Sequence, residues 1–194
     1  MIQSKQDYKF YLYQDKIANG IKDNKSIVEI LKNIVFPNPT WSFIKLLRKV
    51  EYNNNCKSLL TGGVYLLVLK MLLRKKSVKL GFSIPINSCG YGLSLPHYGN
   101  IVINPLCKIG NYCRIHVGVN IGASGGKNNV PTIGNNVYIG PGVKIFGKIE
   151  ITDNITIGAN AVVNKSFNIP NTILAGIPAQ IVRENNPNWI ESFK

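Results

Sequence analysis

An aliphatic side chain returns at every sixth residue along much of this chain. The series runs Ile103, Ile109, Ile115, Ile121, Ile133, Ile139, Ile145, Ile151, Ile157, Val163, Ile169, Ala175 and Ile181, with one register skipped at Lys127. Neither a 3.6-residue helix nor a two-residue strand alternation selects that spacing. A three-sided coil does. Each hexad makes one flat side and a corner, about 18 residues close a turn, and the sides stack as parallel strands about 4.8 Å apart. The recurring aliphatic then points into a narrow interior, above its counterpart one turn earlier.

A second series lies four residues after the first: Cys107, Cys113, Val119, Val137, Val143, Ile149, Ile155, Ala161, Ile173 and Ala179. Cys89 lies 18 residues before Cys107, one turn back, so three of the four cysteines fall in the interior class. They read as small buried space-fillers. No CxxC pair and no metal-ligand cluster accompanies them, and no disulfide framework is expected. Gly follows the aliphatic in Ile109-Gly110, Ile121-Gly122, Ile133-Gly134, Ile139-Gly140 and Ile157-Gly158. Gly and Asn tolerate the positive φ that tight corners demand. The skipped register falls in Ala123-Ser-Gly-Gly-Lys-Asn-Asn-Val-Pro131, whose turn chemistry predicts a loop pushed out of the coil.

Residues 1–80 follow helical rules. Ser26 to Val35 reads as an amphipathic helix ended by Pro37 and Pro39, Thr40 to Val50 as a second, and Cys56 to Lys75 as a third despite Gly62-Gly63. The domain expectation is a helical part over 1–80, the coil over 81–183 with its loop at 123–131, and a short tail over 184–194.

The stretch Leu59 to Leu73 falls short of the roughly 20 residues that span a bilayer. The first sixteen residues are too polar for a signal peptide. The chain is therefore placed in the cytoplasm. Lys and Arg number 23 against 9 acids, a formal charge of +14. That excess favours anionic partners but does not choose among nucleic acid, phosphorylated cofactors, acidic sugars and lipid surfaces. No aromatic platform or helix motif supports nucleic acid. The basic stretch Lys70 to Lys79 reads either as a packed helix with its lysines in solvent or as a dock on the cytoplasmic face of an anionic membrane.

With its hexapeptide run, its loop and the segment Ala175-Gly-Ile-Pro-Ala-Gln-Ile-Val182, the chain resembles the hexapeptide acyltransferases. The likeness is to the serine acetyltransferase-like branch, which includes O-acetyltransferases of capsule and lipopolysaccharide synthesis. The resemblance covers roughly Pro85 to Arg183. It implies a mainly β fold, a left-handed parallel β-helix behind an N-terminal α-helical domain. It also implies homotrimers with acetyl-CoA in the groove between adjacent β-helices, and no metal.

Gly92-Leu-Ser-Leu-Pro-His-Tyr-Gly-Asn-Ile-Val-Ile103 resembles the family's catalytic histidine segment, and the resemblance implies that His97 is the general base; the other reading of His97 is a corner histidine satisfied by backbone bonds. His97 also lies six residues before Ile103, in a register where the repeat predicts an inward aliphatic. Imidazole titrates near neutral pH and can take the acceptor's proton as its oxygen attacks the thioester. Direct transfer requires no nucleophilic Cys or Ser. His116 and Asn120 are candidate acceptor contacts, and the other reading of His116 is a plain surface residue. Family positions for acetyl-CoA map onto Ala123, Pro141 and Ala159, and Lys144, Lys165 and Arg183 are candidate phosphate partners by charge.

Departures are present. The upstream carboxylate of serine acetyltransferases is matched by Phe82, the acid beside the histidine by Pro96, and the loop carries no histidine. The family's handle for an amino-acid acceptor is missing. The expectation is an O-acetyltransferase acting on a sugar hydroxyl in surface polysaccharide synthesis. Serine O-acetylation for cysteine synthesis and a non-catalytic β-helix scaffold are the alternatives.

Overall fold

The structure is a computed structural model, and it describes residues 1–22, 31, 35–57, 59–184 and 188–193. Three helices precede the coil: α1 (Lys5–Ala18), α2 (Pro39–Cys56) and α3 (Leu59–Leu80). Helix α1 starts because Ser4 Oγ accepts from Asp7 N at 3.0 Å, and α2 because Asn38 Oδ1 accepts from Trp41 N at 3.0 Å, with Pro39 in its first turn. The helix expected over 26–35 lies outside the described residues, save Leu31 and Val35. Helices α2 and α3 both run past the ends expected for them. Helix α1 was not anticipated, because its buried stripe of Tyr11, Asp15 and Ala18 contains a carboxylate that hides the amphipathic pattern.

The remainder is a left-handed parallel β-helix. One side stacks β1 (Phe82–Ser83), β2 (Ile101–Ile103), β5 (Asn120–Gly122), β8 (Lys144–Phe146) and β11 (Val162–Val163). The second stacks β3 (Lys108–Ile109), β6 (Thr132–Ile133) and β9 (Glu150–Ile151). The third stacks β4 (Arg114–Ile115), β7 (Tyr138–Ile139), β10 (Thr156–Ile157) and β12 (Thr172–Ala175), closed by an antiparallel β13 (Gln180–Glu184). The inward aliphatics from Ile103 to Val163 are buried, and so are Cys89, Cys107 and Cys113. Burial raises all three thiols, Cys89 and Cys107 to about 11 and Cys113 to about 12. They are packed and inert at neutral pH.

Register shifts at both ends correct the expected series. Lys108 pairs with Thr132, 24 residues on, where Asn120 follows Val102 by 18. The loop thus adds one whole hexad and leaves the interior register intact. The first turn is longer than expected: Cys89 pairs with Ile109 rather than stacking on Cys107, and Ser94 pairs with Arg114. This shift puts Leu95 in the interior and carries His97 past it to the exposed corner, so His97 does not occupy the inward register expected from its distance to Ile103.

The last turn is shorter. Ile151 pairs with Phe167 and Ile157 with Leu174. Phe167, Thr172 and Leu174 are buried, while Ile169 is 54% exposed and Ala175 and Ile181 are only half-buried. Asn171, with φ 59°, turns this corner with the same backbone angle as Asn154 and Asn160 at the earlier ones, so the shift comes from the number of residues between corners.

Helices α1 and α2 grip the irregular first turn through polar groups. Arg48 is fully buried and donates from Nε to Asp15 Oδ2 at 2.7 Å and from Nη1 to Glu51 Oε2 at 2.9 Å. It also donates to the carbonyls of Cys89 and Gly90. Asp15 Oδ1 accepts from Leu93 N at 2.8 Å, Glu51 Oε1 from Asn87 N at 2.8 Å, and Asn19 Oδ1 from Leu95 N at 3.1 Å. Burial works to lower the Arg48 pKa, and the two carboxylates overcome it, so the guanidinium stays charged. Residues 87–95 bond forward to the turn that follows, and these side chains satisfy the backbone groups of Asn87, Cys89, Gly90, Leu93 and Leu95 left over on the other face.

Candidate functional site

His97 is exposed at the corner that follows the third side of the prism and precedes the first. Gly99, two residues on, has φ 143°, and a Cβ there would come within 2.4 Å of Val117 Cγ2. Only glycine lets the chain bend back so closely over the next turn. Gly99 N donates to Leu80 O at 2.9 Å, which ties this corner to the end of α3.

Later turns put their own corners on the same edge. Gly118 N donates to Asn100 O, Gly142 N to Val117 O and Asn160 N to Pro141 O. The edge therefore runs from His97 through His116 to Pro141 and Ala159. Three turn rises of about 4.8 Å make it about 14 Å long. Asn120 and Lys144 pair on the adjoining side, in β5 and β8. The structure thus brings His97, His116, Pro141, Ala159, Asn120 and Lys144 to one edge and one neighbouring side.

It does not bring Ala123, Lys165 or Arg183 to that edge. Ala123 is exposed at the far corner of the same side, where the loop leaves. Lys165 donates to Gln180 Oε1 at 2.9 Å and lies over the Phe167 ring. Arg183 sits on β13 at the end of the coil. Lys144 itself donates to Gly118 O, so its charge points back toward the edge.

The two histidine rings lie 6.4 Å apart, and the Tyr138 ring lies 4.9 Å from His116. His116 is half-buried. Arg114 Nε approaches its Nε2 at 3.4 Å. A guanidinium only donates, so Nε2 accepts and the proton sits on Nδ1. Burial, then Arg114, then His97 lower the His116 pKa to about 4. His116 is therefore neutral at neutral pH. Arg114 is itself fixed by Ser94 Oγ at 3.0 Å and by the Trp189 ring, whose Nε1 donates to Tyr112 O at 3.1 Å. Arg114 and Tyr138 escaped the sequence reading. Each is the outward partner of an inward isoleucine, and only stacking of the turns sets them beside His116.

Phe82 is 4% exposed and packs edge-on against Phe43 at 4.9 Å. It belongs to the joint between α2 and the coil. Among the described residues no carboxylate takes its place beside His97, and no group of three or more metal-ligating side chains exists.

The family model for bacterial transferase hexapeptide (six repeats) matches residues 131–165. The chain is 38% identical over 96 residues to the serine acetyltransferase of Synechococcus elongatus, covering 48% of this chain and 38% of that protein. It is 36% identical over 101 residues to the serine acetyltransferase of Mycobacterium tuberculosis, covering 51% of this chain and 44% of that one. The chain thus spans less than half the length of these relatives. The solved serine acetyltransferase of Neisseria gonorrhoeae superposes with a TM-score of 0.70 at 25% identity, over 95% of this chain and 70% of that one. The Brucella abortus serine acetyltransferase in complex with coenzyme A gives 0.69 at 24%, over 94% and 70%, a likeness of fold.

Proposed function

We propose that this chain, which carries the bacterial transferase hexapeptide repeat over residues 131–165 and is similar to serine acetyltransferases, is an acetyl-CoA-dependent O-acetyltransferase with His97 as general base. The observation that carries this reading is the exposed imidazole at the head of an edge whose later corners are Pro141 and Ala159. Imino and small side chains there leave room for a pantetheine arm along the coil. The acceptor hydroxyl gives its proton to His97 as its oxygen bonds to the thioester carbonyl carbon. The tetrahedral intermediate then expels CoA sulfur, which takes the proton back from the imidazolium. The oxyanion calls for backbone N–H donors, and these come from corner amides other than those of Gly99, Gly118, Gly142 and Asn160, which already donate to backbone carbonyls. Asn120 and neutral His116, with its Nδ1 proton, stand ready as acceptor contacts. Lys144 is the cation placed to meet a CoA phosphate, whereas Ala123, Lys165 and Arg183 reach CoA only in a groove completed by a neighbouring subunit of a homotrimer.

Serine is the acceptor favoured by the relatives, which are serine acetyltransferases. This sets the sugar acceptor in second place. One observation still supports it: the carboxylate position is filled by buried Phe82, so the relatives' support for a base and an amino group is missing here. Free-CoA release, measured with serine and then with sugar acceptors, separates the two. His97→Ala is expected to lower acetyl transfer by about 10²–10⁴-fold. No thioester turnover with any acceptor, together with no effect of His97→Ala, supports the scaffold reading instead.

A further inference from the structure

A cleft opens at Tyr98, the residue after His97, where the end of α3 meets the first turn of the coil. Pro37, Pro39, Leu80 and Tyr98 wall it, and Ser42, Lys76 and Lys79 supply its polar groups. We propose that this cleft holds the anionic group of the acceptor, in place of the loop handle that the chain lacks. The inference rests on the transferase reading above.

Three features converge on an anion. First, Lys76 is half-buried and donates to Ser42 Oγ at 2.5 Å, a neutral partner. Second, its surroundings are cationic: burial lowers its pKa, and Lys45 and Lys79 lower it further. Among the described residues the ion pairs are those of Arg48 with Asp15 and Glu51, none of which lines this cleft. Like charges held together between apolar walls raise the free energy of the empty cleft, and a bound anion relieves it. Third, among the described residues no carboxylate lines the cleft, and the last carbonyls of α3 are shared with backbone donors: Leu80 O accepts from Gly99 N and Val78 O from Gly81 N.

Position decides which anion. Tyr98 lines the cleft and directly follows His97, so the cleft begins one residue from the base. CoA reaches His97 along the edge through Ala159. Its phosphates are separated from the thioester by the whole pantetheine arm. The acceptor's hydroxyl must touch His97, and a carboxylate or phosphate on the same small molecule then falls on the lysine side. Carboxylate and phosphate share this chemistry, so the substrate class is a hydroxyl acceptor bearing an anion, either an amino acid or a phosphorylated sugar.

The first test is direct. Inorganic phosphate is titrated into the full chain and followed by amide shifts around Tyr98, Lys76 and Ser42. Saturable shifts there, weakened at least tenfold in the double variant Lys76→Gln, Lys79→Gln, are expected. The second test is kinetic. Serine is compared with serinamide, and N-acetylglucosamine 1-phosphate with N-acetylglucosamine. The anionic member of at least one pair is expected to lead by tenfold or more in kcat/KM. The double variant is expected to erase that lead through KM for the acceptor. The pair that responds identifies carboxylate or phosphate. Absent phosphate shifts overturn the proposal, and so does a double variant whose KM rises for acetyl-CoA instead. If no acceptor is turned over at all, the transferase reading falls, and the phosphate titration alone then judges the cleft.

Discussion

At the scale of the residue, the pair Arg114 and His116 has a sign that can be checked. His116 has a folded pKa of about 4 and an unfolded value of about 6.5. Between those values the unfolded chain takes up a proton that the folded chain refuses. Stability present above about pH 6.5 is therefore lost as pH falls toward 4. Arg114→Met removes one of the two charges that hold the pKa down. His116 should then titrate at higher pH, and the loss of melting temperature between pH 7 and pH 5 should shrink. The ring's titration by NMR checks this, and an unmoved His116 titration in the variant would remove Arg114 from the account. Neither residue's role can be read from spacing. The hexad rule says only that both point outward, and their meeting depends on which corners stack.

At the scale of the element, two features make opposite predictions. The buried Asp15–Arg48–Glu51 group is what holds residues 87–95 against the helices. Asp15→Asn leaves a guanidinium with half its compensation in a dry site, and a loss of about 3–5 kcal/mol in denaturant unfolding is expected. Because the same segment sets the His97 corner, acetyl transfer should fall with it; full activity at full stability would contradict the arrangement. The loop should behave in the other way. It adds one hexad to a turn, so excising residues 124–129 restores the 18-residue spacing seen between Val102 and Asn120. The shortened chain is expected to keep its circular dichroism and its melting temperature within a few degrees. Collapse of the β-helix on excision would show that the loop carries structural weight its own bonds, such as Ser124 N to Asn129 O at 3.1 Å, do not suggest.

At the scale of the whole molecule, the edge lined by His97, His116, Pro141 and Ala159 is only one wall of a groove. In the proposed reading a second copy supplies the other, and light scattering should give a trimer. A monomer turning over acetyl-CoA would refute that. No described helix is long and apolar enough to cross a membrane. Helix α3 nonetheless turns Val64, Leu67 and Met71 outward beside Lys70, Arg74 and Lys75. The surface contact expected for Lys70–Lys79 is tested by co-sedimentation with anionic vesicles: binding at low salt that high salt abolishes is its signature, and no binding at low salt leaves these lysines as solvated helix surface.

The sequence by itself determined the prism, because a side chain every sixth residue has one interior to fill and a buried interior tolerates little else. It also determined that the cysteines are packing and that the loop leaves the coil. It misplaced both ends, where one-residue and two-residue changes in corner length slide the pattern without altering composition. Only the tertiary structure decided that Leu95 goes inside and His97 stays out. That choice is made by Asp15, Asn19, Arg48 and Glu51, polar groups on helices far away in sequence that bond the backbone of the first turn. A polar residue that replaces a missing ladder bond has no periodicity, and its partner becomes visible only when the two segments are packed together.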